Sequence, residues 1–433
     1  MLFLDEEERY RINVFYWNAE FPDIMKAGGF DAVIGNPPYV LLQDEFRDDR
    51  QLVYFRSKFA CASFKIDTYH LFIEQGINLS KTGGRFLMIT PANVLTNNHL
   101  DKLRRVILKR SVVQHIVVID GGVFQGISVD NVVFVVSPGK PTSKDFKITH
   151  ARIDRQYLIQ TGQIKVSPVR ALEDEHVLFT GTSEAGFTKF WKRIATKTCP
   201  LGDLADVNFG KQLRDRKKFL RDVIEVSSLR EIPRTHRPCY TGRDVNRYAI
   251  QQGHLACLKD EIARSGGCWD AAKHDAKNKL LTRQIGRFPD FAVDTAGWHC
   301  LNTIFMVNLR GGQPDTRYVL GILNSKLIHA LWLDRFYDQR RTFPKIKGTY
   351  LKQLPIWRIN FSVPADKTRH DRMVELVERM LDLHKQVAIA KTAHATINLQ
   401  RQIDATDAQI DKLVYELYGL TDDEIKIVEE TAS

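Results

Sequence analysis

The stretch Phe30-Asp31-Ala32-Val33-Ile34-Gly35-Asn36-Pro37-Pro38-Tyr39-Val40 decides how this chain is read. Its apolar run, Ala32 to Gly35, predicts a buried parallel strand, and two consecutive prolines force the chain out of the sheet at its carboxyl end. In open α/β sheets that end is where ligands bind. Neither proline has an N–H, so their carbonyls are not drawn into a helix start and stay available as acceptors. Asn36 adds a carboxamide oxygen and Tyr39 a flat ring. Two acceptors beside a ring suit an amino group on a planar base. Asn-Pro and Pro-Pro are also ordinary turn punctuation, and Asn-Pro-x-Tyr is a signal read in disordered tails. The strand that precedes the tetrapeptide counts against the tail.

Working outward, strand and helix alternate. Residues 1–29 contain no strand–glycine loop–helix unit. After a polar loop, Leu42 to Lys58, the spacing of Leu71, Phe72, Gln75 and Leu79 predicts a helix over Asp67 to Leu79. Lys81-Thr82-Gly83-Gly84 closes it. Arg85–Thr90, Val112–Asp120 and Asn131–Ser137 read as strands, with a helix over His99–Arg110. The expectation is a mostly parallel sheet with an antiparallel edge. Pro138–Ser167, rich in Pro, Thr and Lys, reads as a linker. The expected organisation is an α/β sheet over 1–140, a connection over 141–183, a mixed α/β domain over 184–361 and a helical segment over 362–433. Met373, Leu376, Val377, Met380 and Leu381 mark one helix face, and Ile403, Ile410, Leu413, Val414 and Leu417 a second.

The 433 residues, 43% of them hydrophobic, suffice for two or three domains. No run approaches ~20 apolar residues, which argues against a membrane span. The acidic start, MLFLDEEERYRINVF, lacks a signal-peptide layout, so a cytoplasmic location is expected. Six cysteines without a C-x-x-C pair predict free thiols rather than a zinc site, and no metal is expected. Charge is more telling. Of the net +11, Cys199 to Arg358 carries 28 Lys/Arg against 16 Asp/Glu, and the remainder carries 35 against 36. One segment holding the whole excess points to a polyanion such as nucleic acid. Two basic, aromatic clusters lie in it, Cys239–Tyr248 and Asp338–Lys347. They nominate Arg243, Arg247, Arg340, Arg341, Lys345 and Lys347 as phosphate contacts.

Taken in order, these motifs resemble the adenine-specific DNA methyltransferases of type II and IIG restriction–modification systems, in the branch with a TaqI-like C-terminal specificity domain. Asn36-Pro37-Pro38-Tyr39 resembles the catalytic tetrapeptide of that family. Tyr69–Glu74 and Gly83–Pro91 resemble the next helix and strand, and Gly122-Val123-Phe124 resembles a late motif near the target base. Tyr240-Thr241-Gly242-Arg243-Asp244, Leu323-Asn324-Ser325 and Tyr350–Pro355 resemble the recognition domain. The resemblance implies methyl transfer from S-adenosylmethionine to the N6 amine of a flipped adenine. Asn36 and Pro37 would accept its two hydrogens, Tyr39 would stack on the base, Phe124 would touch it, and Phe72 would line the cofactor. Double-stranded DNA is the implied partner.

One departure stands out. The family's glycine-rich cofactor loop lies well upstream of the tetrapeptide, and only 35 residues precede Asn36 here, without a G-x-G-x-x-G. A partial Rossmann-like sheet lacking its first strands is therefore expected: either an N-terminally truncated fragment, or a chain whose missing half is supplied by a complementing N-terminal methyltransferase chain, with turnover requiring that half. The competing expectation is a non-catalytic DNA-recognition protein that keeps the tetrapeptide as a remnant. No clustered Asp…Glu-x-Lys pattern supports a fused nuclease.

Overall fold

The computed structural model describes residues 15–120, 123, 130–154, 157–173, 177, 179, 190–191, 193–251, 253–311, 314–337 and 344–432. Two compact units emerge, Met1–Thr182 and Ser183–Ser433.

The first unit is built on β1 (Phe30–Gly35), α1 (Asp49–Lys58), α2 (Thr68–Leu79), β2 (Ser80–Pro91), α3 (Asp101–Arg110), β3 (Ser111–Asp120), β4 (Asn131–Pro138), β5 (Phe146–Asp154) and β6 (Tyr157–Val166). The strands form one mixed sheet in the order β1-β2-β4-β3-β5-β6. β1 runs parallel to β2, with Val33 opposite Phe86 and Gly35 opposite Met88. α2 packs its apolar face on the sheet. Gly76 lies there against the Phe86 ring, where a Cβ would come within 2.2 Å of a ring carbon.

Four expectations are corrected. The sheet is mixed rather than mostly parallel: β4, expected at the antiparallel edge, lies inside the sheet, antiparallel to both β2 and β3, and the antiparallel edge strand is β6. Val132, Phe134 and Val136 are buried there, which explains an apolar run too dense for an edge. The stretch read as a linker carries the β5–β6 hairpin, with β5 parallel to β3. Exposed Lys147 separates buried Phe146 and Ile148, and Thr149 and His150 are buried as well, so polar residues inside the strand concealed it in the sequence. The loop over 42–58 contains α1, whose N-cap Asp48 accepts from the Arg50 and Gln51 amides. Finally, β1 is not buried. It ends the sheet among the described residues, with Ile34 75% exposed.

The second unit holds two four-stranded sheets. One is antiparallel, made of Ala205–Phe209, Lys279–Arg283, Phe291–Asp294 and Ile304–Leu309. The other contains Val223–Glu225, His236–Tyr240, Leu255–Leu258 and His299–Cys300. The helical end of the chain belongs to this same unit. It comprises α4 (Pro364–Ile389), α5 (Ala393–Tyr418) and a third helix absent from the sequence reading, α6 (Asp422–Ala432). Met373, Leu376, Val377 and Met380 of α4 are buried, and Gly321 of the helix Thr316–Leu323 meets Met373 so closely that a Cβ would lie 2.5 Å from its sulfur. All six cysteines are free. Among the described residues, no helix is long and apolar enough to cross a membrane.

Candidate functional site

The Asn36–Tyr39 segment leaves β1 at its carboxyl end and is held from below by the start of α2. Asp67 caps that helix, and the backbone amide of Asp67 donates to His70 Nδ1 in the reciprocal half of a capping box. An accepting Nδ1 requires an unprotonated nitrogen, and burial keeps His70 in that state by pulling its pKa down to about 4. Burial also raises the Asp67 carboxyl above its ordinary value. The cap positions Thr68, whose hydroxyl donates to the Pro38 carbonyl at 2.6 Å and accepts from the Val40 amide at 3.1 Å. The Thr68 amide in turn donates to the Val40 carbonyl at 3.0 Å.

These three bonds pin the tetrapeptide from one side only. Pro38 spends its carbonyl on Thr68. Among the described residues, neither the Asn36 carboxamide nor the Pro37 carbonyl has a hydrogen-bond partner. Asn36 is exposed and Pro37 buried. Tyr39 is half-buried, its hydroxyl donating to the Ile89 carbonyl at 3.1 Å and its ring meeting Tyr69 edge-on at 6.0 Å. Burial raises its pKa, so the phenol keeps its proton. Tyr69 donates to Asn93 Oδ1 at 3.0 Å, which fixes the wall behind Tyr39. Phe72 lies one helical turn beyond Thr68 on the same face of α2, with 47% of its surface exposed. Phe124, expected against a base, lies outside the described residues.

Thr68 and Asp67 were missed in the sequence. Their signal was available: an Asp two residues before a tyrosine and three before a histidine, at the head of an apolar helix.

In the second unit the six nominated cations part company. Arg243 is exposed on a turn that Asp244 closes by accepting from the Thr241 amide at 2.6 Å and its hydroxyl at 2.9 Å. Lys345 is exposed, and Lys347 holds its ammonium 5.0 Å from the Tyr350 ring centre. Arg340 and Arg341 lie outside the described residues. Arg247 is a correction. Its guanidinium makes a two-bond fork with Asp407 of α5, at 2.6 and 2.8 Å, and donates twice to the Asn324 carbonyl. That charge is spent inside the unit.

Two family models cover different parts of the chain. Residues 3–124 match the Eco57I restriction-modification methylase model, and residues 237–356 match the TaqI-like C-terminal specificity domain. RM.MjaORFECS2P of Methanocaldococcus jannaschii, assigned as a type II restriction enzyme and methyltransferase, is 27% identical over 398 residues. The type II methyltransferase M.HincII of Haemophilus influenzae is 28% identical over 420.

Over these two stretches the chain is similar to restriction–modification methyltransferases.

The match to the archaeal relative spans 88% of this chain but only 31% of that protein, and the match to M.HincII spans 85% and 82%. MmeI, a type IIL restriction-modification enzyme solved in complex with DNA, shares the fold with a TM-score of 0.54 at 12% identity, over 96% of this chain and 58% of that one. In this chain the Asn36–Tyr39 tetrapeptide falls within the methylase match, and Arg243, Lys345 and Lys347 fall within the specificity-domain match.

Proposed function

We propose that this chain carries the catalytic tip and the recognition unit of an adenine-N6 DNA methyltransferase, acting on a base flipped from double-stranded DNA. The observation that carries the reading is the pair of unpartnered acceptors, Asn36 Oδ1 and the Pro37 carbonyl, set beside a tetrapeptide otherwise held by Thr68. An exocyclic amine has its lone pair delocalised into the purine ring. Accepting both of its hydrogens draws the nitrogen toward tetrahedral geometry and localises the pair. Orientation and fixed dipoles then supply most of the rate, and no carboxylate base is needed. Tyr39, with its hydroxyl tied to Ile89, offers a ring edge-supported by Tyr69 as the stacking plate. Non-hydrogen-bonded contact from Phe124 completes the base site in this reading.

S-adenosylmethionine, when bound, supplies an electrophilic methyl group. The described residues fit it only in part. Phe72 is an exposed aromatic wall beside the tetrapeptide, but no glycine loop or free acidic group for a ribose accompanies it, and Asp31 is paired with Lys81. The reading therefore includes a complementing segment that adds a strand along β1, where Ile34 is exposed. Parallel strands are ordinarily covered on both faces, and an apolar open edge is a template for pairing.

The test is methyl transfer from radiolabelled S-adenosylmethionine to duplex DNA by the chain mixed with a methyltransferase fragment carrying the glycine loop. Asn36→Ala is expected to lower the rate by about 10²-fold or more, the scale for losing one preorganised hydrogen bond to a reacting group. Ile34→Lys is expected to block complementation while leaving the fold intact. Sequence-selective DNA binding without transfer under any complementation supports the second reading, a non-catalytic recognition protein.

A further inference from the structure

The most cationic stretch of the second unit is not among the nominated clusters. Residues 214–222, Arg-Asp-Arg-Lys-Lys-Phe-Leu-Arg-Asp, contain five cations and two acids. Both acids are used to hold the loop's shape. Asp222, buried, grips Arg214 through two bonds of 2.7 and 3.0 Å, which closes the loop at its base. Arg214 also lies flat against Phe219, 4.0 Å from the ring centre. Asp215 turns the chain by accepting from the Lys217 amide at 2.9 Å, and its carbonyl accepts from the Lys218 and Phe219 amides. His236 Nε2 meets the Arg221 carbonyl at 2.9 Å and ties the loop to the strand His236–Tyr240.

Four cations remain, Arg216, Lys217, Lys218 and Arg221. All are exposed, and none has a carboxylate partner among the described residues. Leu220 stands in their midst, 74% exposed. A single apolar side chain inside a rigid ring of unpaired cations is a poor surface for water and a good one for a nucleic-acid groove. Phosphates take the charge, and the apolar group packs on sugars and base edges. Because the Arg214–Asp222 clasp already orders the loop, docking it costs little entropy.

We propose that residues 214–222 form a clasped loop that grips the DNA duplex, with Arg216, Lys217, Lys218 and Arg221 on the phosphates and Leu220 in the groove. The loop lies outside the matched specificity-domain residues. The proposal rests on the second unit being a DNA-recognition unit.

The experiment measures binding of the full chain to a fluorescent mixed-sequence duplex by anisotropy, across a salt series. Replacing Arg216, Lys217 and Lys218 together by Gln removes three phosphate contacts. The slope of log K against log salt is expected to become shallower by about 2.7, and binding near physiological salt to weaken by about a hundredfold, with the melting temperature unchanged. Leu220→Ala is expected to weaken binding at an unchanged slope. An unchanged slope in the triple variant, with normal binding by the parent chain, overturns the loop and leaves the DNA-recognition reading standing. Failure of the parent chain to bind duplex even at low salt overturns both. Stronger binding of the same loop to single-stranded RNA or to phosphatidylserine vesicles overturns the duplex as its partner.

Discussion

Replacing Arg247 by Met separates a structural cation from a DNA-contacting one. The side chain bridges the turn after the strand His236–Tyr240 to α5, and its fork to Asp407 is 28% exposed on the Arg side and 20% on the Asp side. Hydrogen bonds to charged groups contribute about 1.5–3 kcal/mol each, and breaking a buried pair costs about 3–5 kcal/mol because the remaining charge is stranded. Part of each side chain still meets water, which screens the loss and places the expected cost at the low end, about 3 kcal/mol. For a unit of this size each kcal/mol lowers the midpoint by about 2–4 °C, so a drop of roughly 6–12 °C is expected in thermal unfolding. Replacing Asp407 by Leu in the same chain is expected to recover part of that loss, since no charge is then left alone. The salt dependence of DNA binding is expected to stay unchanged. A drop below about 2 °C, together with a salt slope shallower by about one, would refute the reasoning and return Arg247 to the phosphate contacts.

Two further outcomes follow from the same geometry. Thr68→Val removes the hydroxyl that holds Pro38 and Val40 while keeping the side-chain shape. Two hydrogen bonds of about 0.5–1.5 kcal/mol each are lost locally, so complemented methyl transfer is expected to fall at least tenfold, with Thr68→Ser retaining it; equal rates in both variants would remove Thr68 from the site. Asp411 is buried on α5 beside the Lys326 amide, and burial pushes its pKa up to about 7. The folded chain then holds a proton that the unfolded chain releases near pH 4, so stability is present at low pH and declines as pH rises from about 4 to 7, by on the order of 4 kcal/mol. Asp411→Asn is expected to flatten that decline in urea unfolding measured across the window, and an identical pH profile in the variant would show that another group is responsible.

What the amino-acid order determined by itself was local. The break from apolar residues into Asn36-Pro37-Pro38-Tyr39, the helix over Asp67 to Leu79 and the cationic excess from Cys199 to Arg358 follow from proline stereochemistry, helical periodicity and counting, none of which needs a neighbour in space. Tertiary structure decided the partners. It placed β4 between β2 and β3, because strand order depends on which apolar faces meet rather than on how apolar each strand is. It turned the polar stretch after Pro138 into a hairpin. It brought Thr68, 30 residues along the chain, under the Pro38 carbonyl, and left the Asn36 carboxamide and the Pro37 carbonyl without a hydrogen-bond partner among the described residues. Arg243 and Arg247 look alike in sequence, four positions apart and equally charged. Only folding sets one on an exposed turn and the other against a carboxylate 160 residues away, because a guanidinium is the same ion whether water, phosphate or Asp407 surrounds it.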